Sequence, residues 1–357
     1  MFQSLYHKYS IRQREKADIA NICGKLKQCD RKPLSAEQKK EIQDFYRPLV
    51  GHTVPTYWHE YFYSRNGQFS TQYIPTSFYH KEIIYRLNNF QLRHAYVDKG
   101  VYDIYFPDLN RPKTIVKNMN GYFYDDHSAI TKEEALARCQ NLAGAVVKPT
   151  MEGMWGEGVH VFTSANGQTD MDQSVEELFK SYGKNFIVQE KVSQHAEMAR
   201  LNPTSLNTLR ILSYRQDNEI YILYAVVRIG RLGKSVDNET AGGINADIQL
   251  DNGTILECAY GTPSEKKIMT TDNGTVLRGF QIPSFEKALA VVREMHLRLP
   301  YFNLVGWDFG IDESGEPIMI EWNRAPDLSQ TAHGPAFGDM TEEIIRTALR
   351  RPDTRLK

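Results

Sequence analysis

Three residues near the end of the chain stand out for their chemistry. Asp308 lies inside an apolar run, Gly306-Trp307-Asp308-Phe309-Gly310, and Glu321 and Asn323 lie two apart in Ile318-Met319-Ile320-Glu321-Trp322-Asn323. Successive side chains of a strand alternate between faces, so Glu321 and Asn323 share one. A hairpin turning at Glu313-Ser314-Gly315 brings Asp308 opposite that pair. Two carboxylates and an amide oxygen on an apolar sheet make a hard-oxygen site suited to Mg2+ held jointly with phosphates. The competing arrangement neutralises the carboxylates with arginines, Arg324 among them, because a buried carboxylate without a counter-charge is expensive. Spacing alone leaves both open.

A phosphate-bearing ligand on such a face needs cations and a backbone that can come close. Lys148 ends the short apolar strand Ala145–Lys148, which Pro149 stops; Gly153, Gly156 and Gly158 fill the loop to a strand at Val159–Phe162. Glycine lets N–H groups approach phosphate oxygens, and lysine adds a point charge. Arg210 and Arg228 lie in the apolar runs Leu209–Tyr214 and Ile220–Arg228, which a turn at Asp217-Asn218 joins into a hairpin. A planar guanidinium fork matches two oxygens of a migrating phosphoryl group.

The elements that position these residues follow from capping and periodicity. Thr131-Lys132-Glu133-Glu134 and Ser174-Val175-Glu176-Glu177 are capping boxes that open helices, the first running to about Leu142, and Asn185–Glu190 reads as a buried strand. Ser284–Leu299 has helical spacing, while Asp251-Asn252-Gly253 and Asp272-Asn273-Gly274 mark turns. The tally is α+β, with antiparallel pairing implied by the short turns. Residues 1–50 hold eleven Lys/Arg against six Asp/Glu and read as short helices, one opened by Ser35-Ala36-Glu37-Gln38. Their alternation of basic and aromatic residues from Tyr6 to Lys16 forms a solvated face or a dock for an anionic acceptor or membrane-bound partner. Residues 55–105 are rich in aromatics, most of them core, with a minority available to pack on sugar faces.

The 357 residues are enough for two or three lobes, and 41% hydrophobic with 24% charged residues is ordinary globular composition. Forty-three basic residues against forty-four acidic ones argue against a nucleic-acid-coating protein. No run reaches the ~20 apolar residues of a transmembrane helix. The first residues lack the apolar stretch of a secretory signal, and four cysteines without a CxxC fit a reduced, cytoplasmic setting.

Taken together, "SLNTLRI", "AVVRIG", "DNETAGGI", "GWDFGI" and "EWNRAPDL" resemble the sugar-transfer-associated group of the ATP-grasp superfamily, over residues 85–345. The resemblance implies two α+β lobes with antiparallel sheets clasping ATP, behind a helical, aromatic-rich N-terminal region. It divides the chain into an N-terminal acceptor- or partner-binding region at 1–95, a lid lobe at 96–185 and a metal-binding lobe at 186–350. Asp308, Glu321 and Asn323 would then hold two Mg2+ ions, with Mn2+ as an alternative. Lys99, Lys148 and the loop glycines Gly153, Gly156 and Gly158 would cover the phosphates. The strand Phe186–Val192 would be the hinge, with Gln189, Glu190, Lys191 and Val192 at the adenine edge; His195 and Glu197 are candidates for the ribose. Arg210, Arg228 and Asn238 would stand beside the γ-phosphate and the acceptor. One departure is Gly306, where D-alanine–D-alanine ligases carry an arginine, so an oxyanion role passes to Arg210, Arg228 or Arg324.

The activity this implies is an ADP-forming ligase joining a carboxylate to an amine-like nucleophile through an acyl phosphate, in bacterial polysaccharide or natural-product biosynthesis. The acceptor would be a small molecule or sugar-linked. A kinase acting on a sugar or small-molecule hydroxyl and a non-catalytic nucleotide-binding module are the alternatives.

Overall fold

The computed structural model describes residues 2–151, 157–234, 237 and 242–356. Within them, two antiparallel sheets carry the architecture. The first is built from β1 (Thr114–Met119), β2 (Tyr122–Tyr124), β3 (Ala129–Ile130), β4 (Leu142–Pro149), β5 (His160–Ala165), β6 (Gln168–Thr169) and β7 (Phe186–Glu190), in the order β3-β2-β1-β7-β4-β5-β6. The second contains β8 (Thr208–Gln216), β9 (Glu219–Ile229), β10 (Ile244–Ile248), β11 (Ile255–Tyr260), β12 (Leu304–Ile311) and β13 (Pro317–Asn323), in the order β11-β10-β9-β8-β12-β13. The expected hairpins are present: β8 and β9 turn at Asp217, which takes a left-handed conformation, and β12 and β13 turn at Gly315.

The Thr131 and Ser174 capping boxes both form, with each hydroxyl accepting from the third helical N–H and each glutamate reaching back. The first helix stops at Arg138, short of the expected Leu142, because Leu142 already pairs with β5. Both helices pack on one side of the first sheet, over Val116, Ala145, Val147, Phe162, Phe186 and Val188.

Strand alternation divides the second sheet between two cores. Leu209, Ile211, Ala225, Val227, Ala246, Trp307 and Phe309 face the helix Phe285–Leu297. On the opposite face Leu212, Tyr224, Val226 and Leu304 pack beneath Tyr46, Phe78, Tyr79 and Ile83 of the N-terminal region. That face turns polar towards its other end, at Arg210, Arg228 and Asp308.

The N-terminal region is helical, but its first helix is one 27-residue element, Phe2–Gln28, rather than short pieces. Its length follows from packing Ile19, Ile22, Cys23 and Leu26 against Trp58, Tyr61, Phe62 and Tyr73. Asp18 and Glu15 pair with His80 and Lys81, so part of the charged face is tied down internally; the side chains of residues 2–8 lie outside the description. Most aromatics between 55 and 105 are buried as expected, whereas Tyr57 is exposed.

The lobe boundary expected at 185/186 falls inside the first sheet, because β7 is its middle strand. The chain crosses to the second sheet just after it: Gln194 bridges Asp312, and the His195 N–H donates to the Ile311 carbonyl at 2.9 Å. Asn207 ties this crossing to the start of β8, its amide donating to Gln194, Met198 and Asn202. All four cysteines are free, and among the described residues no helix is long and apolar enough to cross a membrane.

Candidate functional site

A row of directly opposed residues crosses the second sheet: Asp247 on β10, Val226 on β9, Arg210 on β8, Asp308 on β12 and Glu321 on β13. Directly opposed residues point to the same side, so this row sets out the site. Asn323 joins it opposite Gly306. Met319 and Trp322, three apart, both belong to the Trp307 core, which strict alternation forbids. A bulge resolves this: Asp308 pairs with Glu321 and Phe309 with Met319, leaving Ile320 as the extra residue.

Asp308 is buried and charge-compensated. Arg210 grips it with a two-pronged contact, Nε to Oδ1 at 2.6 Å and Nη2 to Oδ2 at 2.8 Å, and Arg228 adds Nη1 at 3.5 Å. Asn323 Nδ2 donates to Asp308 Oδ2 at 3.1 Å and lies 3.5 Å from Glu321 Oε1. Burial pushes the Asp308 carboxyl up, but the Arg210 and Arg228 charges outweigh it and hold the group below the usual carboxylate range. The three oxygen-bearing side chains therefore converge, and the arginine neutralisation is present with them. It comes from Arg210 and Arg228, while the Arg324 guanidinium lies 5.4 Å over the Phe90 ring. Gly306 has a reason of its own: a Cβ there would come 2.5 Å from that of Pro326.

Lysines from the first half of the chain meet this cluster. The Asp98 side chain caps the turn at Lys99–Val101, and the Lys99 N–H donates to the Thr150 carbonyl at 3.0 Å, just beyond Lys148. Lys99 Nζ then lies 3.1 Å from Glu321 Oε2. Lys148 on β4 is 7% exposed. Burial and the neighbouring Lys99 charge push its ammonium down to about 8, against a partial opposing effect of Glu321. Thr208 donates to Asp237, a carboxylate that burial pushes up despite nearby Arg228. Asp237 was missed by sequence reasoning, although it adjoins the expected Asn238.

The other expected residues divide. Gly158 has a left-handed φ of 70°, which glycine adopts without strain. Gly153, Gly156 and Asn238 lie outside the described residues. At the adenine edge several groups are already engaged: Gln189 Nε2 donates to Pro112 O, the Glu190 N–H to Lys113 O, and the Lys191 N–H to Gly144 O. Glu190 also pairs with Lys113 through its side chain. A middle strand spends its N–H groups on its neighbours, and β7 does so up to Lys191. His195 accepts from the Glu197 N–H as a helix cap, and Glu197 pairs with Arg200.

Carboxylate, carboxylate and amide is a hard-oxygen set, and these donors fit Mg2+. Among the described residues no group of three or more His, Cys, Asp and Glu side chains gathers for a metal, and Asn323 meets both carboxylates through its amide nitrogen. Four cations, Lys99, Lys148, Arg210 and Arg228, face three carboxylates, Asp237, Asp308 and Glu321, a surplus suited to a polyanion.

Two predictions separate scaffold from site. Asp308→Asn strips the counter-charge from a buried guanidinium and should lower stability by about 3–5 kcal/mol. Glu321→Gln, at a half-buried pair, should cost less than about 1 kcal/mol. Urea unfolding checks both, and equal losses would contradict the assignment. For Lys148, the unfolded chain keeps a proton up to about 10.5 that the folded one sheds from about 8. Stability attributable to this group is therefore lowest below pH 8 and recovers towards 10.5. Lys148→Met should be more stable than wild type at pH 7, with the gap closing over that window, and ADP affinity should fall above pH 8 in wild type alone.

No curated protein matches the chain. D-alanyl-alanine synthetase A from Vibrio cholerae O1 biovar eltor str. N16961 is 14% identical, with 74% of this chain and 64% of that one covered and a TM-score of 0.39. D-alanine–D-alanine ligase from Bacillus anthracis, complexed with ATP, is 11% identical over 71% of this chain and 65% of that one, TM-score 0.39. The ATP-grasp ligase PsnB with its minimal precursor is 12% identical over 74% and 62%, TM-score 0.41. The chain thus spans less than two thirds of the length of each. A family model described as sugar-transfer associated ATP-grasp matches residues 82–344, well over half of the sequence, and the chain belongs to that family.

Proposed function

We propose that the protein is an ATP- and Mg2+-dependent, ADP-forming ligase that joins a carboxylate to an amine-like nucleophile through an acyl phosphate. Family membership supports ATP chemistry, and the sugar-transfer association supports a place in bacterial polysaccharide or natural-product biosynthesis. The observation that carries the reading is the convergence of Asp308, Glu321 and Asn323 with Lys99, Lys148, Arg210 and Arg228.

In this reading Asp308, Glu321 and Asn323 would hold Mg2+, which when bound supplies Lewis-acid neutralisation of phosphate oxygens. Lys99 and Lys148 bind the triphosphate. Arg228, tethered to Asp308 at only 3.5 Å, is free to share its fork with the transferring group, while Arg210 stays committed to Asp308. A carboxylate oxygen of the acceptor attacks the γ-phosphorus and ADP leaves; the amine then attacks the acyl carbon and phosphate departs with the C–O electron pair. Residues 1–95, of which Tyr46, Phe78, Tyr79 and Ile83 pack over the same sheet face, would supply part of the acceptor side, with a small-molecule or sugar-linked acceptor.

Purified protein with ATP, Mg2+, hydroxylamine and a panel of carboxylic acids should yield a hydroxamate and ADP. Formation of AMP would overturn the ligase reading. So would a stable phosphoester seen by phosphorus NMR, which marks a kinase, or inertness across the panel, which marks a binding module.

A further inference from the structure

The ligase reading above assigns no group to take the nucleophile's proton, and the same row of the second sheet offers one at its other end. Asp247 stands two strands from Arg210 and three from Asp308, roughly 10 and 14 Å between Cα atoms at ordinary strand spacing. It shares their face and is 10% exposed at its side chain. His333 Nδ1 lies 2.8 Å from Asp247 Oδ1. Because an ionised carboxylate only accepts, Nδ1 carries the hydrogen of this contact, and the tautomer that leaves a lone pair on Nε2 is the one it favours.

The imidazole is held from several sides. Its ring stacks on Tyr224 at 4.9 Å between centroids and 26° between planes. Tyr224 in turn accepts from the Ser329 N–H at 2.9 Å, which fixes the start of the helix Gln330–His333. Gln330 exchanges hydrogen bonds with the Ile74 backbone at 2.8 and 2.9 Å, anchoring that helix to the N-terminal region. The His333 side chain is 22% exposed, enough to meet a ligand, and Arg228 stands four residues along β9 from Tyr224 on the same face. Asp247, opposite Val226, is one strand across and two residues along from Arg228, roughly 8 Å between Cα atoms at ordinary strand spacing.

We propose that His333 is the general base for the acceptor nucleophile and that Asp247 is the residue that positions it. This rests on the ligase reading. As the amine nitrogen bonds to the acyl carbon, the carbon–phosphate oxygen bond breaks, phosphate leaves with the electron pair, and the nitrogen's proton passes to His333 Nε2. A purely structural role, in which stacking and the ion pair only pin the helix, predicts a different outcome.

The test compares two nucleophiles, using the panel acid that gives the most hydroxamate with wild type. At neutral pH ammonia is held almost wholly as ammonium, which must give up a proton before it can attack, whereas hydroxylamine arrives with its lone pair free and, as the stronger nucleophile, depends less on a base for the N–H proton it loses on bonding. In His333→Gln the ratio of the ammonia rate to the hydroxylamine rate should fall about 100-fold or more. In Asp247→Asn, which keeps an acceptor for Nδ1, it should fall less. Far-UV circular dichroism and urea midpoints establish that both variants are folded; should His333→Gln not fold, the Asp247→Asn ratio decides. An unchanged ratio in the folded variants, whether both rates drop together or neither does, overturns the base and leaves the ligase reading standing. A wild type that makes no hydroxamate overturns both.

Discussion

A carboxylate in the middle of a sheet persists only beside a cation, and the way Asp308 meets that requirement organises everything around it. The Arg210 fork spends itself on Asp308 across adjacent strands, so the pair belongs to the scaffold as much as to the site. With that charge settled, the looser cations Arg228, Lys99 and Lys148 form a positive surplus over the sheet. Bringing Lys148 to it costs stability, which shows in the depressed affinity of its amine for a proton. The surplus is built before any ligand arrives, and pre-built charge requires little rearrangement when a polyphosphate binds.

Much of this was legible from the residues. Asp308 inside an apolar run, two arginines in apolar strands and the two-residue spacing of Glu321 and Asn323 pointed to one polar face, because charged groups in such runs need partners. The hairpins and three capping boxes were readable because turn and cap chemistry is local. Of the two readings of the carboxylates, the arginine neutralisation is what the side-chain contacts show at Asp308, with Arg210 and Arg228 in place of Arg324, and Glu321 and Asn323 lie beside that pair.

The rest depended on information that is not local. That β7 is a middle strand follows from which distant segments pair with it, and this is why Glu190 and Lys191 have their N–H groups occupied. The length of the first helix comes from a packing surface supplied by Trp58 and Phe62, which lie well beyond the helix in the chain. Asp247 carried the same signal as Asp308, an acid in the apolar strand Ile244–Ile248, but its partner His333 arrives from a short helix with no periodicity to announce it.

The extra residue in β13 has a geometric corollary. Met319 faces inward, Glu321 outward, Trp322 inward and Asn323 outward. Strike out Ile320 and these four alternate without interruption. Of the residues on that stretch, it is the one whose loss would leave every inside and outside assignment intact. Its contribution is therefore curvature rather than parity: a local bend and added twist at the margin of the sheet, where Glu321 meets a lysine belonging to the other half of the molecule.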